Sequence, residues 1–319
     1  MAFAVMCSGG DAPGMNPAVK KFVDYAFKVG KKAYLIYDGL EGLIDNKIKE
    51  ANHKDVAGIV HIGGTIIRSS RSKRFFEYEY RKKAYENLKA HNITAMIVLG
   101  GDGSFRAMER FSSEFDINFV GIPTTIDNDI YGTEYCLGVD TALNVIRDSL
   151  DKIRDTASSF KRAFIVEVMG RDCGYLAIVS AMVSGAEVCV IPEVEFRHEE
   201  LGKRLAQEVK DGRKYVVAIV AEGTKKTDYL YNWVQDEIGL ETRVSILGHI
   251  QRGGNPSVYD RLMAFDFTVI AIDHLLESTN SDKVVVYQKG EFKLLNIHEV
   301  TSNKYELPQH FIDAMYLLD

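Results

Sequence analysis

The sequence predicts an α/β fold with mainly parallel sheets, and three observations carry that expectation. Short apolar runs rich in β-branched residues alternate with helical patterns almost from end to end, the signature of βα units. Two of these runs pass directly into Gly-Gly-Asp, VMCSGGD at Val5–Asp11 and VLGGDGS at Val98–Ser104, and such turns fall at the carboxyl ends of parallel strands. The composition is ordinary for a globular chain, 319 residues with 46% hydrophobic and 26% charged, enough for about two domains.

In order, AFAVMC (2–7) is the first strand. Its glycine turn leads to a helix that Asn16 would N-cap, with Pro17 in the favoured N1 place and Val19, Phe22, Val23 and Phe27 at helical spacing. KAYLIY (32–37) and AMIVLG (95–100) follow; the turn after the latter leads to a helix that Ser104 would cap, carrying Phe105, Met108 and Phe111. NFVGIP (118–123) is the next strand. The helix ALNVIRDSLDKI (142–153) then sets Leu143, Ile146, Leu150 and Ile153 on one core-facing stripe. FIVEVM (164–169), EVCVIP (187–192), YVVAIVAEG (215–223) and RVSILG (243–248) complete the strands. No long Pro/Ser-rich linker, low-complexity tract or strong repeat interrupts them, so a domain division would rest on compact chain crossings.

A net charge of −6 and a pI near 5.8 argue against a general nucleic-acid or anionic-membrane surface, leaving local basic clusters for small anions. The amino-terminal MAFAVMCSGG lacks a basic region and a cleavage pattern, and no segment has the roughly 18 uninterrupted apolar residues of a membrane helix; the expected compartment is the cytoplasm. Cys7, Cys136, Cys173 and Cys189 are scattered without a CxxC pair, which argues against zinc or a disulfide framework and for reduced, structural thiols.

Paired glycines let the main chain approach a phosphate, and the helix that follows offers free N–H groups and a positive dipole end. Either turn alone also reads as a plain strand-to-helix connection, since neither is GxGxxG or a Walker loop; two turns could face one site. In IPTTIDND (122–129) an extended chain would project Asp127 and Asp129 to the same side, roughly 6–7 Å apart. That spacing is too long to share a proton and suits one carboxylate acting on a hydroxyl while the other serves a magnesium shell; a polar loop whose acids bond local N–H groups is the plainer alternative. Arg162, Arg171, Arg243, His249 and Arg252 stand beside strands or at their ends, and Glu222 ends YVVAIVAE. Solvated surface arginines need no explanation singly; repeated at strand ends they suggest a pocket for a phosphorylated substrate, with the glutamate suited to sugar hydroxyls.

Together SGGDAPGMN, GGTIIRSSR, GGDGS, TIDNDIYGT, DKIRDTASS, VEVMGRDCGY, ETR and LGHIQRGG, in this order and over essentially the whole chain, resemble the ATP-dependent 6-phosphofructokinases of short bacterial type. The resemblance implies two Rossmann-like three-layer domains, a nucleotide-binding one over 1–138 with 252–304 and a sugar-phosphate-binding one over 139–251 with 305–319. It also implies transfer of a phosphoryl group from MgATP to the 1-hydroxyl of fructose 6-phosphate by a homotetramer whose substrate sites are shared between subunits. By their motif places Asp127 resembles the general base, with Thr125 beside the transferring group. Asp102 and Asp129 resemble the magnesium carboxylates. Gly10, Arg71, Ser72, Asp102, Gly103 and Ser104 resemble nucleotide contacts, and Arg71 with Arg171 resemble the cations on the migrating phosphoryl group. Thr125, Asp127, Met169, Gly170, Glu222, His249 and Arg252 match substrate contacts, with Arg162 and Arg243 reaching a neighbouring subunit's site.

Several positions depart from that pattern. Leu40 and Ala107 replace a tyrosine and a glycine near the expected adenosine. Thr124 stands where ATP users usually have glycine and pyrophosphate users lysine. Arg154, Glu187, Arg213 and Lys20 match or approximate a family effector site for ADP and phosphoenolpyruvate. There Asp24, His53 and Asp211 replace basic residues and Gly58 an acid, with Lys21, Lys54 and Lys214 as neighbours that could compensate. The alternatives are a pyrophosphate-dependent phosphofructokinase, which typically has aspartate at 103 and lysine at 124; other GGDG kinases, which lack TIDND and GHIQRGG; and a non-catalytic nucleotide-sensing subunit, expected to have lost Asp127 or Arg171.

Overall fold

The computed structural model describes residues 2–315 and 318. In chain order the strands are β1 (Ala2–Cys7), β2 (Lys32–Ile36), β3 (Ile48–Glu50), β4 (Ile93–Gly100), β5 (Phe119–Pro123), β6 (Arg162–Val168), β7 (Val188–Val190), β8 (Val216–Ala221), β9 (Glu241–Ile246), β10 (Asp282–Gln288) and β11 (Glu291–Asn296). The helices are α1 (Met15–Lys28), α2 (Gly39–Ile44), α3 (Tyr78–Ala90), α4 (Asp102–Glu114), α5 (Val139–Phe160), α6 (Tyr175–Ser184), α7 (His198–Lys210), α8 (Thr227–Trp233), α9 (Val258–Glu277), α10 (Ile297–Ser302) and α11 (Gln309–Met315). Every strand expected from the sequence forms; β3, β10 and β11 are additional. Among the described residues no helix is long and apolar enough to cross a membrane.

The chain divides into two compact units, Met1–Thr141 with Arg252–Tyr305, and Ala142–Gln251 with Glu306–Asp319. Residues 1, 316, 317 and 319 of the expected domain spans lie outside the described residues. Among the described residues the first unit holds a sheet of order β11-β10-β5-β4-β1-β2-β3. Its interior is parallel, and antiparallel β3 and β11 close its two edges. Every residue of β1 and β5 is buried, so both faces of the sheet are covered, as parallel sheets require. Phe105, Met108 and Phe111 of α4 are fully buried as expected, each phenylalanine contributing on the order of 1.5–3 kcal/mol by burial. Gly121 of β5 has a packing cause, because a Cβ there would stand 2.6 Å from the Phe105 ring. The β10–β11 hairpin turns on Lys289 and Gly290, both with positive φ (52° and 82°), the conformation of a two-residue I′ turn.

The second unit holds an all-parallel sheet of order β7-β8-β6-β9. Ile165, Val190, Ala218, Val220, Leu230 and Trp233 share its core. On α5, Ile146 and Leu150 are fully buried while Leu143 and Ile153 are only half-buried. Ala142 and Ala157 complete the buried stripe, which shifts position because 3.6 residues per turn does not hold one face over a 22-residue helix.

In the first unit the loop that follows Ser72 is held by two guanidinium clamps. Arg74 pairs with Glu41 and Asp45 (Nε to Glu41 2.7 Å, Nη2 to Asp45 2.8 Å), and its hydrogen bonds hold both carboxyls below the usual carboxylate range. Arg81 is 3% exposed, donates to the Phe75 carbonyl at 2.8 Å and grips Glu114 with two bonds of 2.6 and 2.8 Å. Removing one member of such a pair strands a buried charge. Glu114→Ala should therefore lower the unfolding free energy by about 3 kcal/mol in urea denaturation, and a loss under about 1 kcal/mol would show that the clamp contributes no more than a surface pair.

Candidate functional site

In the first unit, β1 and β4 pair in parallel, with Cys7 opposite Leu99. From β1 the sheet grows to β2 on one side and to β4 and β5 on the other, so the seam between β1 and β4 is the topological switch point where open α/β sheets take ligands. The two glycine turns leave these strands side by side. Ser8 N donates to Leu99 O at 2.8 Å, and the buried Ser104 hydroxyl donates to Ser8 Oγ at 2.9 Å. Gly9 has φ 87°, and a Cβ on Gly100 would lie 2.7 Å from the Ser104 side chain. Gly103 opens to solvent with nothing within 4 Å of a Cβ position. Asp102 is the first residue of α4, half-buried and paired with Arg106 at 2.8 Å.

Neither expected cap is a cap. Gly14 and Gly101 hold those positions; Gly14 has φ 102°, which glycine accepts readily, whereas Gly101 is in ordinary extended backbone. Asn16 is instead buried inside the first turn of α1. It donates to the carbonyls of Ile62 (2.9 Å) and Gly63 (3.2 Å) and accepts from Ile66 N at 2.8 Å. It thereby draws in the 62–72 loop, whose Ser69 hydroxyl donates to Gly9 O at 2.8 Å. That loop brings the exposed Arg71 and half-buried Ser72. Arg252 lies on the glycine turn itself: Nη2 donates to Asp11 O at 2.6 Å and Nε to Asp11 Oδ1 at 3.3 Å, and a Cβ on Gly10 would meet Nη2 at 2.1 Å.

IPTTIDND is not extended beyond Pro123. Thr124 makes one bridge and donates its N–H to Gly100 O at 2.9 Å, then Ile126 and Asp127 form a turn and Asn128 takes φ 52°. The same-side placement of Asp127 and Asp129 expected from strand geometry therefore does not apply, because a left-handed residue between them breaks the two-residue alternation. Asp127 is 1% exposed, with Thr125 Oγ1 donating to its carboxylate at 3.3 Å and accepting from its N–H at 3.2 Å. Asp129 is half-buried. Among the described residues no group of three or more His, Cys, Asp or Glu is placed to hold a metal. Magnesium served by phosphates and water needs only one or two carboxylates, and Asp102 and Asp129, both half-buried, are the carboxylates that the sequence offers for it.

In the second unit the carboxyl ends of β6, β8 and β9 bring together Met169, Gly170, Arg171, Glu222 and His249. Arg171 N donates to Glu222 Oε1 at 3.2 Å, and Leu247 N to Glu167 O at 3.1 Å. Arg171 has φ 53°, and Gly223 lets the chains touch, since a Cβ there would lie 1.9 Å from Arg171 O. Gln251, which sequence reasoning passed over inside GHIQRGG, is fully buried and accepts from Met169 N at 3.1 Å while donating to Gly248 O at 2.9 Å. Arg162 and Arg243 do not join this group. Arg162 opens β6 and Arg243 lies opposite Phe164, at the amino end of a strand that spans about 20 Å; both pair with Glu241, Arg162 at 2.8 Å. Of the single cationic pocket expected from strand ends, Arg252 lies on the Gly10 turn of the first unit, and the rest form two groups on opposite ends of the second unit's parallel sheet, a distinction that requires strand direction.

The effector-lining candidates are also engaged locally. In the first unit Lys20 pairs with Asp24 at 2.8 Å, and His53 Nδ1 lies 3.3 Å from the same carboxylate. In the second, Arg213 pairs with Glu187 and Glu208, both at 2.6 Å, while Glu187 also accepts from Val217 N at 2.7 Å. Arg154 is half-buried beside Gly185, and Gln207 donates to Asp211 at 3.0 Å. All four cysteines are buried; burial pushes the Cys7 thiol up to about 12, which keeps it protonated and unreactive.

The family model described as Phosphofructokinase matches residues 2–275. The chain is similar to the ATP-dependent 6-phosphofructokinase of a Sulfurovum species, 56% identical over 97% of this chain and 94% of that one. Its similarity to the enzyme of the same description from Sulfurimonas denitrificans is 57% over 98% of each. Among solved structures, Pichia pastoris phosphofructokinase in the T-state superposes with a TM-score of 0.88 at 34% identity, over 94% of this chain and 35% of the longer yeast chain. Matched over most of its length in sequence and in fold, this chain belongs to the phosphofructokinase family.

Proposed function

We propose that this chain is a glycolytic, ATP-dependent 6-phosphofructokinase, acting in the cytoplasm to convert MgATP and fructose 6-phosphate into ADP and fructose 1,6-bisphosphate. What carries this reading is the buried turn bearing Asp127 and Thr125, which leaves β5 beside the paired glycine turns of β1 and β4. Asp127 takes the proton of the 1-hydroxyl as that oxygen bonds the γ-phosphorus and the bond to the β-phosphate oxygen breaks. Gly10, Ser72, Asp102, Gly103 and Ser104 receive the nucleotide phosphates at the N-terminal end of α4 and the turn before α1. Arg71 and Arg171 neutralise the migrating group. Asp102 and Asp129 would hold magnesium, which would supply positive charge to the nucleotide phosphates. Met169, Gly170, Glu222, His249 and Arg252 bind the sugar phosphate. The opposite placement of Arg162 and Arg243 supports their service to a neighbouring subunit in a homotetramer.

Pyrophosphate as donor is disfavoured by two positions. Gly103 is open, leaving space for a nucleotide, and Thr124 is 1% exposed with its hydroxyl turned back on Ile122 O at 3.0 Å, so it offers a phosphate neither charge nor donor. Leu40 is 5% exposed, giving adenine little platform, so base selectivity should be modest. A coupled assay supplying ATP, GTP or pyrophosphate with fructose 6-phosphate tests the reading; turnover with pyrophosphate alone would overturn it. Asp127→Asn should lower kcat by at least ~10²-fold, with a smaller effect on the KM for fructose 6-phosphate; near-full kcat would place the base elsewhere.

Regulation by ADP and phosphoenolpyruvate should be weak or absent. Asp24 and Asp211 place carboxylates where a basic lining would be needed, and Lys20 is already paired with Asp24. At about 1.5–3 kcal/mol per lost charged contact, effector affinity falls by several powers of ten. Fructose 6-phosphate saturation curves should superpose with and without millimolar effector, whereas a large shift in half-saturation that Arg154→Ala abolishes would show a working site.

A further inference from the structure

Asn128 lies between the two acids of the TIDND turn, is fully buried and has φ 52°. Asparagine tolerates that left-handed conformation better than most residues, yet its side chain does more than permit the turn. Oδ1 accepts from Cys136 N at 2.9 Å and Nδ2 donates to Glu134 O at 3.1 Å, so one amide joins the Asp127 turn to a second main-chain segment. That segment is held on every side. Leu137 N donates to Pro123 O at 2.9 Å and Glu134 N to Tyr287 O at 2.8 Å. The buried carboxylate of Asp260 accepts from Tyr135 Oη (2.5 Å), Gly138 N (2.6 Å), Thr141 N (2.9 Å) and the Thr141 hydroxyl, which offsets the cost of burying it. Ser257 N donates to Thr141 Oγ1 at 3.0 Å, and the Ser257 hydroxyl caps α9 by accepting from Asp260 N at 3.1 Å.

We propose that Asn128 is a positioning residue for the phosphoryl transfer: its two side-chain bonds carry the rigidity of the 134–138 segment, anchored on Asp260, into the turn that aims the Asp127 carboxylate. The proposal rests on the reading of Asp127 as the base. The Thr125 hydroxyl, at 3.3 Å from that carboxylate, is a long bond and a soft constraint; the main chain of the turn sets where the carboxylate starts. A displacement of about 1 Å at a reacting group costs on the order of 10²-fold in rate, and a clamp of this kind prevents it without touching either substrate.

Asn128→Gly keeps the left-handed backbone and deletes both bonds. Its kcat should fall by about 10- to 100-fold while the KM values for ATP and fructose 6-phosphate stay within about threefold, because substrate binding is left intact. Placed on Asp127→Asn, the same change should slow the enzyme little further, since residues acting as a unit are not additive. Tyr135→Phe, which removes one hydroxyl from the Asp260 anchor, should give a milder kcat loss of about 3- to 10-fold, also absorbed by Asp127→Asn. Unchanged kcat in both Asn128→Gly and Tyr135→Phe, or losses that multiply in full with Asp127→Asn, would overturn the positioning role. A fully active Asp127→Asn single variant would instead remove the base assignment on which it rests.

Discussion

The parallel pairing of β1 with β4 is the constraint from which the first unit's chemistry follows. It places two Gly-Gly-Asp turns next to each other, and the Ser104 to Ser8 hydroxyl bond fastens them at 2.9 Å. Neither turn alone is a strong phosphate signal. Side by side, with α4 starting directly behind one of them, they offer main-chain N–H groups and a dipole end worth roughly 0.3–2 kcal/mol to an anion. Because β5 pairs with β4 on the far side of the seam, the next turn in that row is the one that carries Asp127. Strand order alone thus sets the two glycine turns and the Asp127 turn in sequence along the carboxyl end of one sheet.

The second unit gathers its candidate residues in the same way. Carboxyl ends of three parallel strands supply Met169, Glu222 and His249, and the close approach at Gly223 fixes Arg171 against Glu222. The opposite end of the same sheet carries Arg162 and Arg243, both leaning on Glu241, whose carboxyl is held low chiefly by its hydrogen bond from Arg162. Two cationic groups separated by the length of a strand do not serve one phosphate, which is the observation behind the proposed service of Arg162 and Arg243 to a neighbouring subunit.

Strands and glycine turns were legible in the sequence because their signals are local: β-branched runs, Gly-Gly pairs and alternation. The hairpin of β10 and β11 had a local signal too, KVVVYQ and EFKLLN around Lys-Gly, and went unread. Other features lay beyond any local rule. Asn16 and Ser104 carry good cap residues' chemistry, but the helices start one and two residues earlier, at Met15 and Asp102, and both side chains bond distant partners instead. Asp127 and Asp129 lost their strand spacing to one left-handed residue, Asn128. Arg252 and Gln251 are neighbours in sequence yet belong to different units, one lying on the Gly10 turn and the other beneath Met169. Their roles depend on contacts between segments more than 80 residues apart, which no window of sequence contains.

The proposed reading is a division of labour, nucleotide phosphates on the glycine turns of the first unit and the sugar phosphate chiefly on the second. Amide hydrogen exchange of the wild-type protein, read by mass spectrometry with MgATP alone and with fructose 6-phosphate alone, tests it most directly. The account predicts that MgATP protects residues 8–14 and 100–105, and that fructose 6-phosphate protects residues 168–173, 221–224 and 247–251. Protection of the second set by nucleotide alone, or of residues 100–105 by the sugar phosphate alone, would contradict it.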